Sequence, residues 1–206
     1  MTEIEEHVKD IKQTFRQMMD GATAKSMREK GVDYHLNWGA TLPRLREMAD
    51  EIGENYDLAI ALWKENVREC KILATMLMPP EQMLSEVVDI WMEQTETVEI
   101  AEQAAFNLYQ HLPYAAEKAF QWLASPDVLS QICGFHVLNR LFMQKREPNE
   151  RGINEFVDQA LTALGSTNVT LRKAAMNSLQ RFADLGLVYK RIASSATKRA
   201  GYDFIS

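Results

Sequence analysis

Three adjacent basic pairs, Lys145–Arg146, Arg172–Lys173 and Lys190–Arg191, are the side chains of this 206-residue sequence best suited to grip phosphate. Lysine and arginine neutralise phosphodiester charge and release its counterions, so a rim of such pairs would hold a polyanion in a salt-dependent way. Other chemistry is thin. The four histidines, His7, His35, His111 and His136, lack metal-ligand spacing, and no Cys-x-x-Cys, glycine-rich phosphate loop or Gly-x-Ser-x-Gly elbow occurs. His136 and Arg140 stand i,i+4 and read as a surface pair. Cys70 and Cys133 lie 63 positions apart in apolar helical runs, the pattern of two small buried residues, not of a disulfide framework. Neither a metal nor a cofactor is expected.

The charge is unevenly placed. Net charge is −6, but residues 79 to 122 hold eight acids against one base, Lys118, whereas residues 139 to 200 hold eleven bases against five acids. The middle is therefore about −7 and the C-terminal third about +6. A phosphate partner would favour the latter.

What must position these groups is a repeat. NVRECKILATML from Asn66, TVEIAEQAAFNL from Thr97, DVLSQICGFHVL from Asp127 and NVTLRKAAMNSL from Asn168 share one skeleton. Counting from zero, offset 0 is a helix-capping type, offset 1 is Val, offset 7 is Leu73, Ala104, Gly134 or Ala175, and offset 11 is Leu77, Leu108, Leu138 or Leu179. Offsets 1, 4, 8 and 11 share one face of a 3.6-residue helix, which makes each copy amphipathic. Another helical segment precedes each copy, and three of these carry Trp63, Trp91 and Trp122 near their ends. The copies start 31, 30 and 41 residues apart, the last interval widened by the polar insert QKREPNERG. A helix pair at that interval predicts an all-α, HEAT-like or armadillo-type helical-repeat solenoid.

The expected organisation is a single domain over 1–206. Residues 1–54 would form an N-terminal helical cap, 55–196 about four helix-pair repeats, and 197–206 a fraying tail. The cap holds amphipathic residues 3 to 19, a short helix near Thr23 to Glu29, the loop GVDYHLNWGATLP, and a helix with Thr41 as cap, Pro43 in its first turn and Gly53 after its end. The acidic start, MTEIEEHVKD, has no secretory character, and no apolar run is long enough for a membrane span. A cytoplasmic protein with no membrane partner is expected.

At GVDYHLNWGATLPRLREMADEI, LWKENVRECKILATMLM, QWLASPDV and LRKAAMNSLQRFA the chain resembles the HEAT-like-repeat DNA alkylation repair family, the AlkD-like alkylpurine DNA glycosylases, as a divergent member. The family's Gly-x-x-x-Pro-x-x-Arg motif would be Gly39, Pro43 and Arg46. The resemblance implies a curved stack whose concave face holds DNA, with two Trp and one Asp handling a cationic alkylated base by cation–π contact and carboxylate stabilisation. Those residues do not carry over. Counting from Trp122, the Asp position falls near Thr97 and its neighbouring Trp near Glu93. The second Trp falls at Asn177 and a phosphate-contacting Arg at Ile132. Trp91, Glu93 and Glu96 are the remaining catalytic candidates.

If the four repeat helices line one trough, offsets 2, 5 and 9 face into it: Arg68, Lys71 and Thr75; Glu99, Glu102 and Phe106; Leu129, Ile132 and His136; Thr170, Lys173 and Asn177. Two basic steps then flank an acidic and an apolar one. Nucleic-acid contacts are expected from Arg68, Lys71, Arg140, Lys145, Arg146, Arg172, Lys173 and Arg181. The functional expectation is a nucleic-acid-associated family member without the excision residues, with duplex DNA as its candidate partner. A protein-interaction scaffold using an exposed Leu129/Ile132 face, and a glycosylase with a relocated acid, stand as alternatives.

Overall fold

Apolar residues recur at three- and four-residue intervals along this chain, and helices are the element that gathers such residues on one side. The computed structural model describes residues 2–29 and 34–205, among which are twelve α-helices and no strand. The expected all-α fold is the one observed. Gly31, Val32 and Asp33 of the expected loop lie outside the described residues. The chain divides into two compact units, the first ending at Leu108 and the second beginning at Tyr109.

The first unit starts with α1 (Glu3–Gln17), which buries Val8, Ile11 and Phe15. Thr2 and Glu5 close its N-terminus reciprocally, each side chain accepting from the other's backbone N–H. Asp20 caps α2 (Gly21–Glu29), its Oδ1 accepting from the N–H groups of Ala22 and Thr23 at 3.0 Å. Thr41 precedes α3 (Leu42–Ile52) without capping it through its side chain, while Gly53 ends the helix at φ +75°. Then come α4 (Tyr56–Trp63), α5 (Arg68–Leu77), α6 (Ser85–Glu93) and α7 (Val98–Asn107). Helix α5 is the hub, packed on α3, α4 and α7, and α1 covers α4.

The second unit contains α8 (Ala115–Leu123), α9 (Val128–Met143), α10 (Glu150–Leu164), α11 (Val169–Ala183) and α12 (Leu187–Arg199). Helix α9 packs on α8 and α11, and α11 also on α10 and α12. The small residue at offset 7 has its expected role at Gly134. A Cβ there would come within 2.8 Å of the Ala119 carbonyl, so glycine permits the α8–α9 approach. Four phenylalanines form the centre: Phe156 lies 5.1 Å from both Phe142 and Phe182 and 6.4 Å from Phe135, centroid to centroid. Each such tilted or edge-on pair contributes about 0.5–1.5 kcal/mol beyond its buried area.

Three of the four predicted caps form: Thr97, Asp127 and Asn168 accept from Ile100, Ser130 and Leu171 respectively. The first does not. Helix α5 starts one residue late, after Val67, and the Arg68 N–H donates to the Leu36 carbonyl at 3.0 Å. A loop carbonyl thus replaces the Asn66 side chain.

The buried stripe also departs from expectation in the second unit. Val67, Cys70, Ala74 and Leu77 are all buried, matching offsets 1, 4, 8 and 11. In the fourth copy Leu179 at offset 11 stays buried, but Val169 is exposed, Arg172 and Met176 are half-buried, and Leu171, Ala175, Ser178 and Phe182 are buried as well. Helix α11 is enclosed by α9, α10 and α12, so its apolar face is turned by about one residue. Nor does the tail fray. Helix α12 continues to Arg199, Thr197 is buried with its hydroxyl donating to the Ala193 carbonyl at 2.9 Å, and Ile205 is buried.

Candidate nucleic-acid interface

Arg68 was expected to face a ligand; it faces the protein. Its side chain is 1% exposed. Nε and Nη2 donate to the two Glu99 carboxylate oxygens at 2.9 and 2.6 Å, and Nη1 donates to the Ala40 carbonyl at 2.9 Å and to Glu69 at 3.2 Å. Glu69, also buried, accepts from the backbone N–H groups of Trp38, Gly39 and Ala40. The Tyr34 hydroxyl donates to Glu99 and accepts from Thr97 at 3.1 Å. Gly39 adopts φ +79°, and a Cβ there would sit 2.3 Å from the Asp20 carbonyl, so only glycine lets segment 34–41 lie down over this network.

Of the basic and acidic steps of the first two repeats, Arg68 and Glu99 therefore form one forked ion pair, while Lys71 lies over Trp63 and Glu102 stays exposed. Burial by itself disfavours charge on both partners. The fork outweighs it, holding the Arg68 guanidinium above and the Glu99 carboxyl below their usual values. Burial and the Glu99 bond push the Tyr34 phenol up. Thr75, another expected outward residue, is buried and bonded to Asn107 at 2.9 Å.

Trp91 is 2% exposed, which removes it as an open aromatic face. It stacks flat on Trp63, centroids 4.1 Å apart and planes within 3°, and the Lys71 ammonium lies 4.4 Å from the Trp63 centroid. Trp63 Nε1 donates to Gln94 at 2.9 Å. Burial draws the Lys71 ammonium below its usual value, with Glu96 pulling back. The cation that this aromatic stack attracts is thus already supplied by the chain. Glu93 and Glu96 are exposed, at the end of α6 and just after it.

The second unit presents a row of exposed cations on neighbouring helices. Lys173, Asn177 and Arg181 are spaced by four residues along α11 and all exposed, a stripe of two turns or about 12 Å. Beside them on α9 stand half-buried His136 and Arg140. Burial, and then the like charge of Arg181, hold the Arg140 guanidinium below its usual value, so the two cations act on each other. Lys145 reaches the same end of the stripe: its ammonium donates to the Asp184 carbonyl at 2.6 Å, and Arg181 contacts the Asp184 carboxylate at 3.3 Å. Lys145 is also the one described non-glycine residue with positive φ, +61°, just after α9. Arg146 is exposed next to it. Arg172 differs, its guanidinium bonding the Ser166 carbonyl at 2.6 Å to brace the α10–α11 turn.

Ile132 is 1% exposed, so the apolar Leu129/Ile132 face on which a protein scaffold rested does not form. It is buried because α9 is packed on both α8 and α11. Sequence reasoning missed Glu69, Tyr34 and the basic α1–α4 cleft, a space of about 720 Å³ lined by Lys9, Lys12, Arg16 and Lys64 with Glu5 and Glu65. One signal for the buried pair was legible: opposite charges at the same offset of consecutive repeats, Arg68 and Glu99. Among the described residues no His/Cys/Asp/Glu group is arranged to hold a metal, and no helix is long and apolar enough to cross a membrane.

Comparison with known proteins points one way. The family model described as DNA alkylation repair enzyme matches residues 11–184. A solved structure is similar over 94% of this chain and 83% of its own, with a TM-score of 0.83 and 18% identity. It represents a family of proteins related to the HEAT-like repeat DNA glycosylases with affinity for branched DNA structures, and at that identity it shows the shared fold. No curated protein sequence matches the chain.

Proposed function

Because the chain belongs to the DNA alkylation repair family, we propose that it associates with DNA through the basic face of its C-terminal unit and lacks the family's base-excision residues. The observation that carries this reading is the convergence of Lys173, Arg181, Arg140 and Lys145 on adjoining stretches of α9 and α11. Each cation that meets a phosphate displaces condensed counterions, so affinity would fall steeply with salt. The chain's net charge of −6 makes such a localised face the favoured route to a polyanion. The branched-DNA affinity described for the structural relative makes branched DNA the first ligand to try alongside linear duplex.

Loss of excision is supported by the closed Trp63–Trp91–Lys71 stack and by Thr97 and Asn177 standing where the resemblance would need Asp and Trp. The test is a salt titration of DNA binding. The expected result is that Lys173→Ala with Arg181→Ala lowers affinity and reduces the logarithmic salt slope by about 2. An unchanged slope would overturn the assignment of this face. Free base released from methylated DNA, and lost in Glu93→Gln or Glu96→Gln, would instead establish excision with a relocated acid.

A further inference from the structure

At the Lys145 end of the basic stripe the surface changes character. Leu187 and Val188 are 64% and 65% exposed, and Met143 is nearly half exposed. All three are large apolar side chains left in water. Leu187 lies three residues beyond Asp184, whose carbonyl Lys145 holds and whose carboxylate Arg181 contacts. Met143 closes α9 two residues before Lys145, its sulfur 4.0 Å from the Arg140 guanidinium. Two turns are tied together here, residues 144–149 by Lys145 to Asp184 and by Glu147, which accepts from the Tyr189 hydroxyl at 2.9 Å. Tyr189 in turn packs edge-on against Phe182, 5.2 Å between centroids, so the start of α12 stands on the aromatic core.

The backbone repeats the point. Lys145 completes α9 in the left-handed region, where glycine is favoured, with the Arg146 N–H closing onto Leu141 at 3.0 Å. Lysine at such a position carries backbone strain, and its ammonium is held at the Asp184 carbonyl.

We propose that Leu187, Val188 and Met143 form an apolar wedge that enters an unstacked base step while Arg140, Lys145 and Arg181 hold the flanking phosphates. This deepens the DNA reading and rests on it. Exposed leucine, valine and methionine gain nothing from phosphate. Bases parted from their neighbours offer the complementary apolar surface, and wedge side chains of this kind act on DNA that is already kinked or open at low additional unstacking cost. The cations select a polyanion, and the wedge selects, among polyanions, those with a gap in the stack. A protein partner would match the apolar side chains alone, whereas a polyanion also matches the positive charge of Arg140, Lys145 and Arg181 around Asp184.

The experiment compares the full chain with Leu187→Ser/Val188→Ser, both exposed positions, on a linear duplex and on a four-way junction and a one-base bulge of matched sequence. The expected result is unchanged affinity for linear duplex and about a ten-fold loss, roughly 1.4 kcal/mol, on the junction and bulge. A 2-aminopurine placed at the open step should brighten on binding the natural chain and stay dim with the variant, a signal that phosphate contact alone does not produce. Equal losses on all three substrates, or no loss on any, would overturn the wedge. Absence of binding by the natural chain to every substrate would overturn the DNA reading itself, and wedge-dependent binding of a protein with no DNA effect would reassign the patch.

Discussion

In the N-terminal unit the assembly that ties the first two repeat helices is charged: buried Arg68 and Glu69 with half-buried Glu99 and Tyr34 and the backbone of residues 38–40. In the C-terminal unit the central assembly is Phe135, Phe142, Phe156 and Phe182. Both are built from successive copies of one repeat. The difference teaches that the repeat specifies helix pairing but not the currency of the contact. Where a loop must be held across the helices, its backbone donors demand acceptors, and the Glu69 carboxylate beside Arg68 supplies them. Where helix meets helix alone, rings suffice, and Lys173 and Arg181 face outward.

Breaking the fork should have the largest effect. Arg68→Ala leaves Glu69 and Glu99 near one another without their cation, and an expected loss of about 3–5 kcal/mol should show as a lower urea midpoint together with faster hydrogen exchange at Trp38, Gly39 and Ala40. A variant with natural stability would mean the network is only a passenger. Next, Phe156→Leu keeps the second unit apolar and close to the same volume, so about 1.5 kcal/mol should be lost, mostly from ring–ring contacts. A loss as large as that of Arg68→Ala would erase the contrast, since it would make shape as unforgiving as charge.

The smallest effect is on acid stability. The folded Glu99 carboxyl titrates below the ordinary 4.5, so its ionised form is favoured in the folded chain. Its contribution is present above 4.5 and is lost as pH falls through the lower folded value. The stability gap between the natural chain and Glu99→Gln should accordingly shrink between pH 6 and pH 3 in urea unfolding. A gap that stays constant over that range would show that Glu99 acts by packing and not by charge.

Much of the architecture was legible because apolar spacing is a local property. The four repeat helices, the helices preceding them, three of four caps and the close approach at Gly134 all follow from residue types at fixed intervals. The site was less legible. Arg68 at offset 2 has the spacing of a solvent-facing residue, and only segment 34–41, lying over α5, turns it inward. Ile132 at offset 5 is buried by neighbours on two sides. Lys173 stands at an outward-facing offset and Arg181 is marked by its charge alone, and their alignment with Arg140 requires α9 and α11 to pack side by side.

By itself the sequence determined that this chain makes helices in pairs, where three of the four repeat helices start, and which third of it carries positive charge, because helix periodicity, capping and charge depend on residues near one another in the chain. Tertiary structure alone decided that the first repeat's arginine pairs with the second repeat's glutamate, that Trp91 closes on Trp63, and that Lys145 and Arg181 meet at Asp184 close to Leu187 and Val188. Those outcomes depend on which surfaces meet, and contacts between residues tens of positions apart are set by packing, which no local spacing encodes.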